Sequence, residues 1–188
     1  MKWVVLDRDG VINEDSDHYI KSAAEWQPIP GSLEAIARLS QAGWRVCIAS
    51  NQAGLGRGLF DYDAFAAMNG KLQKMLLERG GRIEVMAFAP EHPDHATEMR
   101  KPGTGMLREL ARRLGSPLEG VPFVGDSDTD LIAAHAAGMC PVLVLTGKGA
   151  RYRPQAEAMG AEIHADLATF AEAWLARSML EIPAAGKK

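Results

Sequence analysis

Short apolar runs that alternate with helical patterns are the feature that most constrains the fold of this chain. The runs lie at residues 3–6, 45–49, 85–88, 122–124 and 142–145. The helical patterns lie at residues 33–41, 62–79, 105–114, 130–137, 154–159 and 167–179. A run that is apolar at every position, such as 142–145, is typical of a strand buried on both faces. The alternation therefore predicts an α/β fold in which a doubly wound parallel sheet carries helices on each side.

The spacing of these runs also predicts the domain organisation. Residues 10–49 leave room for a loop, a helix and a strand, and residues 51–100 for a long helix, a strand and an irregular loop. Neither stretch has room for a second folded unit, so we expect no separate cap domain. We expect one domain over residues 1–180, followed by a flexible tail at 181–188. We also expect a monomer, because no apolar surface segment is left unassigned.

Charge and apolar content exclude several classes of partner. The 188 residues carry a net charge of −3, so no basic surface indicates nucleic acid. No stretch approaches the roughly 18 consecutive apolar residues that a membrane span needs. The chain turns acidic at Asp7, too early for a signal peptide. We therefore expect a cytoplasmic protein with no membrane or nucleic acid partner, and its two cysteines exclude a disulfide framework.

Polar motifs stand at the points where three of the apolar runs end, and a fourth motif precedes a helical pattern. In chain order they are Asp7-Arg8-Asp9-Gly10, Ser50-Asn51, Arg100-Lys101-Pro102 and Gly125-Asp126-Ser127-Asp128-Thr129-Asp130. The carboxyl ends of parallel strands meet at one edge of a sheet, which is where open α/β sheets bind their ligands. The motifs therefore predict a shared site of carboxylates, a hydroxyl and a cation.

The carboxylates of this predicted site indicate a metal ion. Asp7 and Asp9 are two residues apart, so on an extended segment both face one side while Arg8 points away. Asp126 reaches the same edge from another strand. Two carboxylates at ~4 Å repel by about 4 kcal/mol at an effective dielectric constant of ~20, so three cannot cluster without a cation. Mg2+ meets this need, because it prefers carboxylate, phosphate and water oxygens.

The remaining polar groups favour phosphoryl transfer. Ser50 and Asn51 offer a hydroxyl and an amide, and Lys101 offers a positive charge, which together would neutralise the oxygens of a phosphoryl group. One carboxylate can attack phosphorus to form an aspartyl-phosphate, and a second can protonate the leaving oxygen and later activate water. Asp7 suits the nucleophile and Asp9 the acid/base, but the residue pattern alone does not decide between them.

The four motifs, in this order and over this strand pattern, resemble the haloacid dehalogenase (HAD) superfamily of phosphohydrolases. The stretches 7–13, 50–58 and 100–102 are similar to the subgroup that contains heptose bisphosphate and histidinol phosphate phosphatases. The resemblance covers residues 2–149. It implies a Rossmann-like HAD core and Mg2+-dependent removal of the 7-phosphate of D-glycero-D-manno-heptose 1,7-bisphosphate, a step in nucleotide-heptose synthesis for lipopolysaccharide.

The resemblance also implies roles for individual residues. Asp7 would be the nucleophile and Asp9 the general acid/base, while Ser50 and Lys101 would hold the phosphoryl oxygens. The Mg2+ ligands and the residue that supports them would be Asp7, the backbone carbonyl of Asp9, Asp126 and, in support, Asp130. Contacts to the rest of the substrate are implied for Asp15, Asn51, Arg57 and Arg100.

One stretch departs from this subgroup. Its members commonly carry a structural zinc loop, with Cys-x-His and Cys-x-Cys ligands, between the third strand and the Arg-Lys-Pro motif. Here those positions hold Ala89-Pro90-Glu91 and Thr97-Glu98-Met99, and only His92 and His95 remain as nearby histidines. A structural zinc site normally has four ligands, often thiolates. We therefore predict that zinc is absent, and that the altered loop affects substrate specificity more than the chemistry.

Three alternatives remain open from the sequence. The substrate could be histidinol phosphate or another sugar phosphate, since the same catalytic residues serve the whole superfamily. A phospho-receiver domain also phosphorylates an Asp near a hydroxyl and a Lys, but receivers are shorter and place that Asp on a later strand. A catalytically inactive binding module has little support, because every position of the predicted chemistry is filled.

Overall fold

The computed structural model describes residues 1–180 and contains one sheet of six parallel strands. The strands are β1 (Lys2–Leu6), β2 (Trp44–Asn51), β3 (Val85–Ala89), β4 (Pro122–Gly125), β5 (Cys140–Val144) and β6 (Glu162–His164). The first five lie where the apolar runs predict strands. The short strand β6 was not predicted, because it has only three residues and two of them, Glu162 and His164, are polar.

The order of the strands determines where a site can form. Along the sheet it is β3-β2-β1-β4-β5-β6, and every neighbouring pair is parallel. The chain therefore builds outward from β1 in one direction, returns to pair β4 with β1, and then builds in the other direction. The crevice at the carboxyl ends of β1 and β4 is the switch point at which doubly wound sheets bind ligands.

Within residues 1–180, seven α-helices connect or follow the strands. They are α1 (Ser32–Gln41), α2 (Ala53–Gly56), α3 (Tyr62–Leu77), α4 (Gly105–Leu114), α5 (Asp128–Ala136), α6 (Gly149–Ala158) and α7 (Leu167–Leu180). Six of them match predicted helical patterns, and the one-turn helix α2 was not predicted. Helix α6 begins at Gly149, five residues before its predicted start, and Pro154 lies inside the helix.

Side chains of the central strands alternate between two cores, which explains why the runs are apolar throughout. Val4 and Leu6 of β1 face the core covered by α1, α3 and α7. Trp3 and Val5 face the opposite core, to which α4 and α5 contribute. When helices cover both faces of a strand, its odd and its even positions must both be apolar. The predicted doubly wound α/β fold is therefore confirmed.

Loops and helix ends surround the mouth of the cleft in the described part of the chain. The loop after β1 spans residues 7–31 and the stretch between β3 and α4 spans residues 90–104, with a 3-10 turn at Pro93–His95. Across residues 1–180 no folded unit is inserted as a cap. None of the helices in that range is both long and apolar enough to cross a membrane. A single domain over 1–180 stays a prediction, and the predicted tail, 181–188, lies outside the described residues.

The central strand predicts how stability responds to substitution. Leu6 is fully buried in β1 between β2 and β4, so Leu6→Ala leaves a cavity and should lower the free energy of unfolding by about 2–5 kcal/mol. Leu77→Ala is the matched control, because Leu77 is 70% exposed, and should change it by less than about 0.5 kcal/mol. Urea unfolding followed by circular dichroism measures both, and equal effects would contradict this assignment of the core.

Candidate active site

Three strand ends bring the predicted catalytic residues to one edge of the sheet. Asp7 follows the last residue of β1, and Ser50 is the next-to-last residue of β2, just before Asn51. Asp126 follows β4, and Asp130 is the third residue of α5. The backbone N–H of Asp7 donates to the carbonyl of Val124, 2.8 Å away, so the strand pairing itself fixes Asp7 beside β4.

Three of these carboxylates form a cluster that could hold a metal ion. Oxygen atoms of Asp7, Asp126 and Asp130 all lie within 4.8 Å of one another, and all three side chains are at least mostly buried. The residue pattern had indicated Asp9 as the third carboxylate in place of Asp130. The Asp9 carboxylate lies outside this group and is held by three other side chains.

Lys101 places a buried positive charge against this cluster. Its ammonium lies 3.0 Å from Asp7 Oδ2 and 2.5 Å from Asp130 Oδ1, and it donates to the carbonyl oxygen of Ala49 at 2.8 Å. Burial alone would lower the pKa of Lys101, but the charges of Asp130 and Asp7 outweigh burial and raise it. Lys101 is therefore a fixed cation beside the Asp7 carboxylate.

Full ionisation would leave the cluster with excess negative charge. Burial raises the pKa of Asp7 to about 7, with Asp130 and Asp9 adding to the rise and Lys101 opposing it. Burial also raises the pKa of Asp126 to about 8, helped by the charges of Asp7 and Asp130. Three carboxylates beside one ammonium leave two formal negative charges. A divalent cation would balance them.

Asp9 lies in a separate network of hydrogen bonds. Its carboxylate accepts from Arg8 at 3.0 Å, from the Asn13 amide at 2.8 Å and from the Gln52 amide at 2.7 Å. Burial would raise the pKa of Asp9, but Arg8, Asn13 and Gln52 outweigh it and lower the pKa. Arg8 was expected to point away from both carboxylates, but its buried guanidinium pairs with Asp9 and lines the cleft.

Gln52 is an important residue that the sequence reasoning missed. It is 4% exposed and links the two motifs, because its amide nitrogen donates to Asp9 and, at 2.9 Å, to the Ser50 hydroxyl oxygen. Its carbonyl oxygen accepts from Arg8 at 3.0 Å. Its place directly after Ser50-Asn51 was the only available signal.

Two glycines allow the backbone to approach the cluster. Gly10 has φ +80°, and a Cβ added to it would lie 2.0 Å from an Asp126 carboxylate oxygen. Gly147, after β5, has φ +55°, and its Cβ would lie 2.6 Å from the Gly10 Cα. Any side chain at either position would displace Asp126 or separate the loops that meet here. Steric crowding by Asp126 thus explains why the residue after Asp-x-Asp is a glycine.

Asn51 and Ser50 are held by protein contacts. The Asn51 side chain donates to the Lys101 carbonyl and accepts from the Lys101 N–H, both at 3.0 Å, so it anchors the backbone that carries the buried ammonium. The Ser50 hydroxyl oxygen accepts from Gln52, which leaves the hydroxyl proton free to donate. The predicted contact of Asn51 with substrate stays a prediction.

The cluster lies at the bottom of a cleft of about 410 Å³. Asp15, Asn51 and Arg100 line it, as do Asp7, Asp9, Lys101 and Asp126. Within the described chain the lining does not include Ser50, which is buried, or Arg57, which is exposed. The contacts predicted between Arg57 and substrate stay a prediction.

Arg100 and Arg57 place positive charge near the mouth of the cleft. Burial lowers the pKa of Arg100, Tyr19 and Glu91 oppose this effect, and the charge of Arg57 adds to it. Arg57 is therefore close enough to Arg100 to influence it electrostatically. Gly56, next to Arg57, is needed for packing, since a Cβ on it would lie 2.5 Å from the backbone at Pro90 and His92.

The loop that departs from the related subgroup is closed by hydrogen bonds. The Glu91 carboxylate accepts from the Thr97 hydroxyl at 2.5 Å and from the Thr97 N–H at 3.1 Å. His92 Nδ1 accepts from the Asp94 N–H at 3.1 Å. These contacts define the loop without a metal. The absence of zinc stays a prediction.

The oxygen donors of the cluster fit Mg2+. Asp7 and Asp126 offer carboxylate oxygens, and the negative charges here outnumber the neighbouring positive ones. Mg2+ prefers hard oxygen ligands of this kind. Burial and the neighbouring carboxylates raise the pKa of both groups, so a bound cation would favour their ionised forms. Among the described residues this is the group of three or more acidic, His or Cys side chains placed to hold a metal ion.

The chain is similar in sequence to known phosphatases over most of its length. Residues 98–170 match the HAD-hydrolase-like family. The D-glycero-β-D-manno-heptose-1,7-bisphosphate 7-phosphatase of Pseudomonas aeruginosa is 49% identical over 172 residues, which cover 92% of this chain and 97% of that protein. The protein of the same name from Bordetella bronchiseptica is 48% identical over 173 residues, with the same two coverages, 92% and 97%.

Solved structures agree with this similarity. The crystal structure of D,D-heptose 1,7-bisphosphate phosphatase from B. bronchiseptica, complexed with magnesium and phosphate, has a TM-score of 0.91 at 47% identity and covers 94% of this chain and 99% of that one. The corresponding phosphatase from Burkholderia thailandensis has a TM-score of 0.74 at 42% identity, with coverages of 93% and 99%.

The raised pKa values predict how the metal-free protein responds to pH. Asp7 and Asp126 titrate in the folded protein near about 7 and about 8, above their ordinary value of 3.8, so their protonated forms stabilise the fold at low pH. This stability should be lost as the pH rises through about 7 and about 8. Thermal unfolding in EDTA between pH 5.5 and 9 measures it.

Asp126→Asn is the matched variant, because it removes the titrating group while keeping its shape, and it should flatten the decline. Saturating Mg2+ should do the same for the wild-type protein, since the cation favours ionised carboxylates. A melting temperature that rises with pH over this window in EDTA would contradict the charge balance described here.

Proposed function

Because the chain belongs to the family of D-glycero-β-D-manno-heptose-1,7-bisphosphate 7-phosphatases, we propose that it removes the 7-phosphate of D-glycero-β-D-manno-heptose 1,7-bisphosphate with Mg2+. The observation that carries this proposal is the cluster of Asp7, Asp126 and Asp130 around Lys101, next to Asp9 in its own network. The sheet places them in one cleft with residues suited to bind a phosphorylated sugar. The names of the relatives supply the identity of that sugar.

In this proposal Asp7 is the nucleophile. One oxygen of its carboxylate accepts from the Arg8 N–H at 2.7 Å and the other pairs with Lys101 at 3.0 Å, so its orientation is fixed from two sides. An oxygen of Asp7 attacks phosphorus and forms an aspartyl-phosphate, and the bond from phosphorus to the C7 oxygen breaks. Asp9 protonates that oxygen, and the sugar leaves as an alcohol.

The second half of the reaction regenerates the enzyme. Asp9, now a carboxylate, takes a proton from a water molecule, and the water oxygen attacks the aspartyl-phosphate. Inorganic phosphate leaves and Asp7 is free again. The Arg8, Asn13 and Gln52 contacts to Asp9 support this step, because they stabilise the ionised form that accepts the proton.

Lys101 and Ser50 would bind the phosphoryl oxygens, since both lie at the same edge as Asp7. The groups that would hold Mg2+ are Asp7, the backbone carbonyl of Asp9 and Asp126, with Asp130 in a supporting place. When bound, Mg2+ would offset charge on the phosphoryl group. Asp130 Oδ1 lies 2.5 Å from Lys101 Nζ and so fixes the ammonium. Asp130 Oδ2 accepts from the Ser127 N–H at 3.1 Å.

The rest of the substrate would lie toward the loops. Asp15 lines the cleft and can accept hydrogen bonds from sugar hydroxyls, and Asn51 borders the same space. Arg100 lines the cleft and Arg57 lies near it, so the pair would attract the phosphate at the other end of the sugar. These four proposed contacts would favour a bisphosphate over a monophosphate such as histidinol phosphate, in agreement with the names of the relatives.

Three wider features are also part of the proposal. The reaction would serve nucleotide-heptose synthesis for lipopolysaccharide, the protein would act in the cytoplasm on a small metabolite, and it would be a monomer without nucleic acid or membrane partners. Light scattering coupled to gel filtration tests the oligomeric state. A mass close to the 20.3 kDa of one chain is expected, and twice that mass would contradict it.

Asp7→Asn should abolish turnover while leaving the fold intact, because the amide keeps the shape of the side chain but is a poor nucleophile. We expect kcat to fall about 10⁴-fold or more. Phosphate release in Mg2+ measures it, and circular dichroism checks the fold. Asp63→Asn, an exposed change on α3, controls for the loss of one negative charge. Retained turnover in Asp7→Asn would remove Asp7 as the nucleophile.

A substrate panel tests the proposed reaction. Purified protein should release phosphate from the β-anomer of heptose 1,7-bisphosphate in Mg2+, and EDTA should stop the reaction. We expect kcat/KM for the β-anomer to exceed that for the α-anomer and for histidinol phosphate by about tenfold or more. Preferred cleavage of histidinol phosphate would shift the assignment to the alternative substrate, and turnover unaffected by EDTA would contradict the role of the metal.

A further inference from the structure

Lys148 joins the two sides of the cleft. It lies between β5 and α6, and its ammonium is 2.9 Å from Asp15 Oδ2 and 3.7 Å from Asp17 Oδ1, both in the long loop after β1. Its backbone N–H donates to Asp126 Oδ2 at 2.8 Å. One residue therefore contacts the carboxylate cluster through its backbone and the substrate-facing loop through its side chain.

From this arrangement we infer that the Lys148–Asp15 ion pair positions the Asp15 loop for recognition of the sugar end of the substrate, so that Lys148 is a specificity-determining positioning residue. The inference rests on the proposed function, since it concerns the substrate of that same site. It assigns Lys148 a role exerted through Asp15 and none in the transfer of phosphate.

Both carboxylate oxygens of Asp15 have partners that hold its loop in place. Oδ1 accepts from the N–H of Ser16 at 2.8 Å, and Oδ2 pairs with Lys148. Four residues later Tyr19 adopts φ +63°, an uncommon conformation for a bulky residue. Both Asp15 and Tyr19 line the cleft. The ion pair therefore holds a loop whose backbone is strained at Tyr19, where it lines the cleft.

The base of Lys148 is rigid enough to serve as an anchor. The hydroxyl of Thr146 donates to the Gly10 carbonyl at 2.6 Å, and Gly147 packs against Gly10 so closely that a Cβ would not fit. The loop after β5 is thus attached to the Asp-x-Asp-Gly segment. A change in the Lys148 side chain leaves these contacts and its own N–H bond to Asp126 in place.

Fold stability does not account for a lysine at this position. Lys148 is the N-cap residue of α6, where the helix dipole disfavours a positive charge. Its side chain is 47% exposed, and exposed ion pairs add little to stability. Lys148 is unfavourable for its helix, and its ion pair adds little to the stability of the fold. Its role in holding the Asp15 loop at the cleft explains why a lysine is present here.

A double-mutant cycle tests the inference with the purified full chain and Mg2+. Lys148→Met should raise KM for heptose 1,7-bisphosphate about tenfold and leave kcat within about twofold, because the chemistry is untouched. Lys148→Arg should recover most of the loss, since a guanidinium can still reach Asp15. Lys74→Met, an exposed change on α3, is the charge-matched control and should leave KM unchanged.

The partner variant decides the route of the effect. If Lys148 acts through Asp15, then Asp15→Asn combined with Lys148→Met should be no worse than Asp15→Asn alone. Effects that multiply would mean that Lys148 acts on the substrate independently, and would overturn the inference. An unchanged KM in Lys148→Met would overturn it as well. So would a fall in kcat accompanied by a fall in melting temperature, because that would indicate a structural role.

The proposed function and this inference fail in different ways. Wild-type protein that releases no phosphate from heptose 1,7-bisphosphate would overturn the proposed function. Active wild-type protein with multiplying effects would overturn the ion-pair role alone. The concentration of Mg2+ at half-maximal rate should be equal in wild type and Lys148→Met, because the bond from the Lys148 N–H to Asp126 remains.

Discussion

The buried ammonium of Lys101 is the charge on which the whole site depends. It pairs with Asp7 and Asp130, which share a small volume with Asp126. Removing one partner from a buried ion pair costs about 3–5 kcal/mol, because the other charge is left without compensation. Lys101 therefore makes it possible to bury the cluster at all. It does not neutralise the cluster completely, and the remaining negative charge makes the binding of a divalent cation favourable.

The sheet divides the site into a rigid part and an adjustable part. Asp7 and Asp126 follow neighbouring buried strands, and β1 is paired on both sides, so the spacing of the cluster is set by backbone hydrogen bonds. Asp15, Arg100 and Lys148 lie in loops at the mouth. Chemistry on rigid elements and recognition on loops allow one fold to change its substrate without rebuilding its catalytic residues.

Much of this arrangement could be predicted from the sequence, because apolar runs and the polar residues after them report directly on a parallel sheet. The same pattern could not show that Asp130, and not Asp9, completes the carboxylate cluster, since that depends on side-chain direction at the start of α5. Gln52 and Lys148 were missed for a related reason. Their partners are 43 residues and more than 100 residues away in the chain, and no local pattern records such contacts.

The two aspartates of one short motif are driven in opposite directions by their surroundings. Burial raises the pKa of Asp7 to about 7, whereas Arg8, Asn13 and Gln52 lower that of Asp9 in spite of its burial. Divergent environments of this kind separate the roles of paired carboxylates. On the proposed roles, the network around Asp9 favours the base that activates water. Donation of a proton to the leaving sugar then requires that bound substrate change this network, so the phosphoryl group itself is part of what sets the protonation of Asp9.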